Sequence, residues 1–266
     1  MIWPWRMPQT SPWGTPYPLP RDTSEALLAE GRCDNFGLLL ERYLAFGDNR
    51  GQMQLLRELV DRKALVPDFT GQKELIDACR ARWDRLAQDL GAVTFTARPE
   101  WRVIVGLGTN ALLGGGMTLH PVFGFPVIPP SALKGVCRVY AQWVLERPAE
   151  ELDRLFGKVE GEDSLRGDLM FLEGVPAAVP VVERDVISPL FGAYYREGNT
   201  PPAQYLSPQP IFFLTVGGAS TYQFGVASLA GDREAASQGA RWLQKTLAAV
   251  GVGAKTAAGY GYWLAE

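Results

Sequence analysis

The chain has 266 residues, enough for one large domain or a domain with an extension, and its 47% apolar and 21% charged composition is that of a globular protein. No apolar run approaches the roughly 18 residues of a membrane-spanning helix, and the N-terminal stretch lacks the apolar region of a signal peptide. Three scattered cysteines without Cys-x-x-Cys spacing exclude a disulfide framework and a recognisable zinc site. We therefore expect a reducing, cytoplasmic location.

The charge is unevenly distributed along the chain. A net charge of −3 does not by itself indicate a nucleic-acid-binding protein. Residues 93–145, however, carry four cations against one acid, a local charge of +3, whereas residues 146–185 carry eleven acids against five bases, a local charge of −6. Such asymmetry is compatible with a basic face on an acidic molecule and equally with ordinary solvated charge.

The N-terminal third predicts an arm followed by helices. Residues 1–20 are a proline-rich arm, extended or in turns. Residues 21–92 predict a helical extension packed on the core. Three helices are expected before residue 70. Asp22 caps the first, Asn35 caps the second, and the third runs from about Met53 to Ala64. The clearest helix spans residues 72–90, with Leu75, Cys79, Trp83, Leu86 and Leu90 expected to face inward.

From Val93 onward the pattern changes to strands joined by helices. Alternation over Trp101–Val105 predicts the first strand. A helix starting at Ser131 is expected to bury Leu133, Val136, Cys137, Tyr140, Ala141 and Val144 on one stripe. The expected downstream elements are strands at Asp168–Glu173 and Val179–Ile187, a hairpin of Ile211–Val216 with Tyr222–Ala227, a helix from its cap Asp232 to Val250, and a closing strand at Tyr260–Leu264.

This order of elements predicts an α+β fold. Residues 93–266 would form a ferredoxin-like (βαββαβ) domain, with one antiparallel sheet and two helices on one face. RNA-recognition domains share this layout, but a fold alone does not establish a function.

The stretch before the Ser131 helix is an unusual loop. Between residues 106 and 130 it holds six glycines and four prolines, with apolar residues threaded among them. A loop of this length and composition is typical of an ordered, functional segment. Its start, Gly106-Leu-Gly108-Thr-Asn-Ala111, resembles a dinucleotide fingerprint, but the glycines and proline that follow forbid the required helix, and the acidic ribose partner is missing. We therefore expect no nucleotide or other cofactor.

Two motifs favour phosphate binding. Ser131 is expected to cap its helix, with Lys134 and Arg138 four residues apart on one face beside the positive end of the helix dipole. Gly135 costs helix stability, about 1 kcal/mol relative to Ala, and a close approach by a ligand would explain it. The alternative is a capped helix with solvated cations. Ser131-x-x-Lys134 also matches acylating enzymes, but their partner motifs are absent.

The second motif is a glycine-rich loop over residues 251–261. Its expected phosphate-binding residues are Gly251, Gly253, Lys255, Thr256, Gly259 and Gly261, in a backbone nest. In a ferredoxin-like layout this loop and the start of the Ser131 helix can lie near each other. Two such elements would then converge on one phosphate-binding surface.

His120 is the only histidine of the sequence. It could act as a general base in RNA cleavage or be a hydrogen-bonded loop residue. With no second histidine and no acid partner, the structural role is favoured. Neither His120 nor the acidic run near residue 160 indicates a metal site.

The two motifs resemble those of the RAMP superfamily of CRISPR RNA-binding proteins. The family's Gly-x-Pro-x-Ile-Pro-Gly-Ser-Ser-x-Lys-Gly element stands here as residues 124–135, with Pro130 and Ala132 replacing a glycine and a serine, and its Lys-Thr loop stands as residues 251–261. The segments around 116–121 and 185–211 are similar to one branch, the sixth subunit of the Cmr (type III-B) effector. The resemblance covers about residues 93–264.

This resemblance implies a non-enzymatic RNA-binding subunit. Such a subunit caps the backbone filament near the 3′ end of the crRNA, contacts crRNA and target RNA, and neighbours the backbone RAMP subunit, the small helical subunit and another RAMP cap subunit. His120, Tyr194 and Tyr195 would be duplex or subunit contacts. The alternatives are a metal-independent CRISPR RNA-processing endoribonuclease with His120 as base, and an assembly module with little RNA contact.

Overall fold

The computed structural model describes residues 35–41, 67–107, 116–160, 163–188 and 210–265. The predicted proline-rich arm, the helices expected after Asp22 and at Met53–Ala64, and Tyr194 and Tyr195 lie outside these ranges. The described helices are α1 (Phe36–Glu41), α2 (Lys73–Asp89), α3 (Pro130–Trp143), α4 (Ala149–Phe156) and α5 (Arg233–Ala249). The described strands are β1 (Val93–Pro99), β2 (Arg102–Val103), β3 (Gly157–Glu160), β4 (Asp163–Arg166), β5 (Leu169–Phe171), β6 (Val175–Pro176), β7 (Val182–Ile187), β8 (Ile211–Gly217), β9 (Tyr222–Ser228) and β10 (Trp263–Ala265).

The main sheet is antiparallel, with strand order β10-β1-β9-β5, and β6 also pairs with β9. Helix α3 follows β1 in the chain and packs on α5, α4 and β5, whereas α5 follows β9 and packs on β9, β1 and β10. The buried layer between helices and sheet includes Leu133, Cys137, Phe224, Val226, Leu243, Leu247 and Trp263. The predicted α+β class is therefore confirmed.

A second, smaller sheet has the order β2-β8-β7. The predicted hairpin of residues 211–216 with 222–227 is wrong, because β8 pairs with β2 and β7, whereas β9 belongs to the main sheet. The connection between β8 and β9 is fixed by Ser220, which is fully buried and whose Oγ accepts from the backbone N–H of Val181 at 2.9 Å. This contact directs the chain from one sheet to the other.

The predicted first strand is also displaced. The strand that enters the main sheet is β1, and only Arg102 and Val103 of the expected Trp101–Val105 segment pair as a strand, with β8 of the small sheet. Beyond Val103 the chain pairs with the glycine-rich loop and not with a strand, since the carbonyl of Ile104 accepts a hydrogen bond from the N–H of Ala254 at 2.7 Å. The alternating pattern therefore misreported burial as well as pairing, because Trp101 is exposed and Ile104 is fully buried between Val103 and Val105.

Helix α2 forms where the spacing predicted it, but its buried face is shifted. Ile76, Trp83 and Ala87 are buried, whereas Leu75, Leu86 and Leu90 are exposed. The indole of Trp83 sets this rotation, because its Nε1–H donates to the carbonyl of Glu173 at 2.9 Å while the ring packs against the segment after β5.

Helix α3 begins one residue earlier than predicted. Pro129 occupies the cap position and Pro130 the first turn, where its fixed φ and missing N–H suit a helix start. Ser131 is therefore not the N-cap, and no side-chain cap hydrogen bond forms. Of the predicted stripe, Leu133, Cys137, Tyr140 and Ala141 are buried, whereas Val144 lies past the helix end and is exposed.

Two other predicted caps are confirmed. Asp232 accepts from the N–H groups of Glu234 and Ala235 at the start of α5. Asn35 accepts from the N–H of Leu38 at 3.0 Å and so caps α1. In the part of the chain that the structure describes, no helix has both the length and the apolar character to cross a bilayer.

Candidate nucleic-acid interface

The described end of the long loop, residues 116–130, is an ordered approach to α3. A tight turn forms where the N–H of Gly124 donates to the carbonyl of His120 and the N–H of His120 donates to the carbonyl of Phe125, both at 2.8 Å. The side chain of Asn35 donates to the carbonyl of Val122 at 2.8 Å and ties this turn to α1. These contacts fix the direction in which the chain enters α3.

The first turns of α3 line a groove that contains two cations. Ser131 and Lys134 lie on one side, and Arg166, Gly167 and residues 169–171 of β5 lie on the other. Ser131 and Arg166 are exposed, and Lys134 is half-buried. Within the described ranges neither Lys134 nor Arg166 has a carboxylate partner. The groove therefore presents uncompensated positive charge.

Arg138 faces a different neighbour. Its guanidinium donates to the carbonyl of Gly157 and to Oδ1 of Asp153, the latter at 3.0 Å. These bonds join α3 to the end of α4, so Arg138 stabilises the fold. The expected contact between Arg138 and a phosphate stays a prediction. To make it, the guanidinium would have to give up its hydrogen bonds to Gly157 and Asp153.

The glycine-rich loop packs on the segment after β1. The N–H of Gly261 donates to the carbonyl of Arg102, the N–H of Val252 to that of Gly261, and the N–H of Gly251 to that of Thr246. The N–H of Gly259 is bonded within the loop to the carbonyl of Thr256. Because these amides are already paired, they are poor candidates for a phosphate nest.

Lys255 is the feature of this loop that a polyanion would meet. It adopts the left-handed conformation, with φ of 62°, and its residue is exposed. Gly253 and Gly259 are exposed beside it, and Thr256 is half-buried. The phosphate contact expected from this loop thus depends on the Lys255 side chain more than on backbone amides.

The two motifs lie at opposite edges of the main sheet. The glycine-rich loop leads into β10, whereas the start of α3 lies against β5, and these are the two edge strands of the order β10-β1-β9-β5. Three strand spacings separate the edges, about 14 Å. No residue of the loop lines the α3 groove. The two motifs therefore do not share one surface, and the phosphate contact of each stays a prediction.

A charged cluster that the sequence did not reveal anchors the loop to the small sheet. Arg102 donates to Glu183 and to Asp185, both at 2.7 Å, and the hydroxyl of Tyr260 donates to Asp185 at 2.7 Å. The ring of Tyr260 packs on Trp101 with centroids 4.7 Å apart. Burial and the bond to Asp185 raise the pKa of Tyr260 to about 12.

The Asp185 carboxyl makes the stability of this anchor dependent on pH. Burial pushes its pKa upward, but hydrogen bonds from Tyr260 and the Val186 N–H, together with Arg102, outweigh burial and lower the pKa. A carboxyl with a lowered folded-state pKa stabilises the protein above its unfolded-state pKa, and this stabilisation is lost as pH falls through the folded-state value.

We expect the free energy of unfolding of the wild-type chain to fall below about pH 4. Asp185→Asn should be less stable by on the order of 1–2 kcal/mol at pH 7 and should lack this part of the acid dependence. Urea denaturation from pH 7 to pH 3 measures both effects. Glu100→Gln, at an exposed position, is the matched control. Parallel pH profiles for the wild type and Asp185→Asn would contradict the assignment.

His120 is held as a loop residue. Its Nδ1 accepts from the N–H groups of Val122 and Phe123, each at 3.2 Å, which assigns the proton to Nε2. Burial, with a contribution from Arg82, lowers its pKa. A neutral ring whose Nδ1 lone pair is occupied is poorly arranged to accept a proton from a ribose hydroxyl. The structural role of His120 is therefore the better fit.

The described residues contain no group of three or more His, Cys, Asp or Glu side chains that could hold a metal ion. What they present is an α+β scaffold with uncompensated cations at both edges of an antiparallel sheet.

Residues 104–263 match the model of the RAMP superfamily, and the chain belongs to this superfamily. The CRISPR system Cmr subunit Cmr6 of Pyrococcus furiosus is 28% identical in an alignment of 235 positions that covers 66% of this chain and 68% of that protein. The Cmr6 subunit of Saccharolobus solfataricus is 25% identical over 138 residues, 50% of this chain and 44% of that protein. The resemblance seen in the sequence is confirmed.

One solved structure supports the fold. A chain of the type III-B Cmr-beta complex bound to cognate target RNA matches with a TM-score of 0.63 and 20% identity, over 87% of this chain and 78% of that chain. The crystal structure of Cmr6 from Pyrococcus furiosus matches with a TM-score of 0.44 and 27% identity, over 66% of this chain and 98% of that chain.

Proposed function

We propose that this chain is a non-catalytic, RNA-binding subunit of a type III-B CRISPR effector complex. It would cap the filament of backbone subunits near the 3′ end of the crRNA and help to hold crRNA and target RNA, in the cytoplasm. The similarity to Cmr6 of Pyrococcus furiosus supports the kind of complex. The observation that carries RNA binding is the groove of α3, where Lys134 and Arg166 have no carboxylate partner in the described ranges.

We also propose that residues 93–266 are a ferredoxin-like domain. The strand order β10-β1-β9-β5, with α3 between β1 and β5 in the chain and α5 between β9 and β10, supports this layout. The small sheet and the β3–β4 hairpin are additions to it. The division into an arm (1–20), a helical extension (21–92) and this domain remains part of the proposal, and α1 and α2 are the described pieces of the extension.

Within the complex, Lys134, Arg166 and Lys255 would bind phosphates without reading sequence. Solvent-accessible cations on two edges of a sheet suit the RNA backbone, whose charge repeats at every nucleotide. The separation of about 14 Å between the edges means that different phosphates meet the two sites. One strand lying across the sheet would satisfy both.

Photocrosslinking of the assembled complex tests this proposal. A guide RNA carrying 4-thiouridine is crosslinked, digested and mapped by mass spectrometry. We expect crosslinked peptides from the start of α3 and from residues 251–261. A guide RNA that crosslinks efficiently to neighbouring subunits, with no crosslink to either segment of this chain, would indicate an assembly module and reject the proposal.

Gly135 offers a separate test of close RNA approach. It is exposed on α3, and a Cβ built there meets nothing within 4 Å. Because alanine is the better helix former, Gly135→Ala should stabilise the chain by about 0.5–1 kcal/mol. If a phosphate approaches the backbone at this position, the same substitution weakens RNA binding.

Thermal unfolding and filter binding of the two proteins measure these opposite effects. Gln142→Ala, in the exposed last turn of α3, is the control and should leave RNA affinity unchanged. A stabilised Gly135→Ala protein with undiminished RNA affinity would show that no close approach occurs there.

A further inference from the structure

A cleft outside the two phosphate contacts lies between α2 and the turn of residues 120–125. It has a volume of about 360 Å³, within the range of sites that hold a small ligand group. Its floor is completed by Leu172 and Val175, which join the main sheet to α2. The chemically informative residues of its lining are Arg82, Trp83, His120, Phe123, Phe125 and Glu173.

One wall of the cleft is a compact cluster of three rings, in which His120 also packs on Phe125 with centroids 5.3 Å apart and an interplanar angle of 43°. His120 and Phe123 stack with centroids 4.5 Å apart and an interplanar angle of 28°, and Phe123 and Phe125 are 5.9 Å apart at 15°. Phe125 is buried, but His120 and Phe123 are only half-buried. A flat aromatic group entering the cleft can therefore pack on the half-buried rings of His120 and Phe123.

The polar groups of the cleft differ in position and charge. Glu173 is half-buried, and burial raises the pKa of its carboxyl. Among the described residues, this carboxyl has no ion-pair partner and accepts no hydrogen bond. Arg82 is exposed on α2, and its charge contributes to the lowered pKa of His120, which places it near the stacked rings.

We propose that this cleft binds one unstacked nucleobase of a single-stranded RNA segment. The base would stack beside Phe123, direct an amino or imino N–H toward Glu173, and leave its phosphate near Arg82. This inference rests on the proposed RNA-binding function. Recognition of splayed bases by aromatic stacking and edge hydrogen bonds is the general mode for single-stranded RNA.

The lining disfavours an aliphatic protein side chain as the occupant. A leucine or isoleucine from a neighbouring subunit would fill the apolar volume but would leave the Glu173 carboxyl desolvated without a donor. It would also make no use of Arg82. A nucleotide satisfies the ring wall, the carboxylate and the cation together.

The test compares two RNA probes on the full chain. One is a short single-stranded RNA, and the other has the same backbone but lacks bases at its central nucleotides. We expect the wild-type chain to prefer the base-bearing probe. In Phe123→Leu, which keeps an apolar side chain but loses the ring, this preference should fall by roughly 5- to 150-fold.

Glu173→Leu is a second variant that removes an unpaired carboxyl and so should not impair folding. It should also lower the preference, because the base edge loses its acceptor. In both variants the slope of log affinity against log salt should stay at the wild-type value, since no phosphate contact is removed. Trp143→Leu, at an exposed aromatic residue of α3, is the matched control.

The outcomes separate this inference from the proposed function. Equal, salt-dependent binding of both probes by the wild type would reject the base pocket while RNA binding stands. A folded Phe123→Leu protein with the full base preference would also reject it. Impaired subunit association with unchanged RNA binding would assign the cleft to a protein side chain and overturn the inference. Absence of RNA binding by the intact complex would reject the proposed function itself.

Discussion

Replacing Gly253 with alanine is expected to destabilise the chain by about 3 kcal/mol or more. The residue has φ of 110°, which is strained for any L-residue, at a cost of roughly 1–3 kcal/mol. A Cβ there would also meet the carbonyl oxygen of Ile104 at 2.2 Å. The loop would have to move away, and the bond from the Ala254 N–H to that carbonyl would be lost, costing about 1 kcal/mol more.

Gly259→Ala is the matched control for this substitution. Gly259 also has a positive φ, of 90°, but a Cβ at this position meets nothing within 4 Å. Only the backbone strain applies, so we expect a loss of about 1–2 kcal/mol. Chemical denaturation of both variants measures the difference. Equal losses would show that packing on Ile104 does not require the glycine.

The helices could be predicted because their signals are local. Helix α5 starts where Asp232 can accept from two backbone N–H groups, and α2 has apolar residues at helical spacing. The cap of α3 was expected at Ser131, two residues after its position at Pro129, because serine outranks proline as a cap, although Pro130 suits the first turn. The rotation of α2 was missed because it depends on a distant carbonyl, that of Glu173.

Strand pairing could not be predicted in the same way. Strands β8 and β9 are close in sequence and both apolar, which is also the pattern of a hairpin. Their partners lie far away: Arg102 faces Gly217 in one sheet, and Phe95 faces Phe224 in the other. A local apolar pattern marks a segment as a strand but does not determine which strand lies beside it.

The sequence identified the two motifs of the candidate site, but it could not show which side chains contact each other there. Lys134 and Lys255 are accessible to solvent, as a phosphate contact requires. Arg138 was expected beside Lys134, but it turns toward Asp153, a contact that sequence spacing cannot reveal. Arg166 was missed because it lies in an acid-rich segment, and only the packing of the β3–β4 hairpin near α3 brings it to the groove.

The acid-rich segment explains how an acidic chain presents a basic surface. Its carboxylates pair with cations that hold elements together: Asp153 with Arg138, Glu151 with Arg147, and Glu183 and Asp185 with Arg102. The acids therefore neutralise structural arginines. Lys134, Arg166 and Lys255 have no such partner in the described ranges, so their charge remains available.

Removing Lys134 and Lys255 together is expected to have the largest effect on RNA binding. Each exposed contact contributes about 1 kcal/mol, so each single alanine variant should weaken guide-RNA binding by about fivefold and the double variant by about 25-fold. The effects should add, because the two sheet edges are about 14 Å apart. The slope of log affinity against log salt should fall by about 0.7 for each lysine removed.

Filter binding of the assembled complex over a salt series measures both quantities. Arg241→Ala with Lys245→Ala is the control, since it removes the same charge from the exposed face of α5. Long-range electrostatics alone would make the two double variants equivalent. If the phosphates are instead contacted locally, at α3 and at the glycine-rich loop, the variant without Lys134 and Lys255 should lose much more RNA affinity than the control. Unchanged RNA binding by the Lys134 and Lys255 variant would show that neither lysine contacts the RNA.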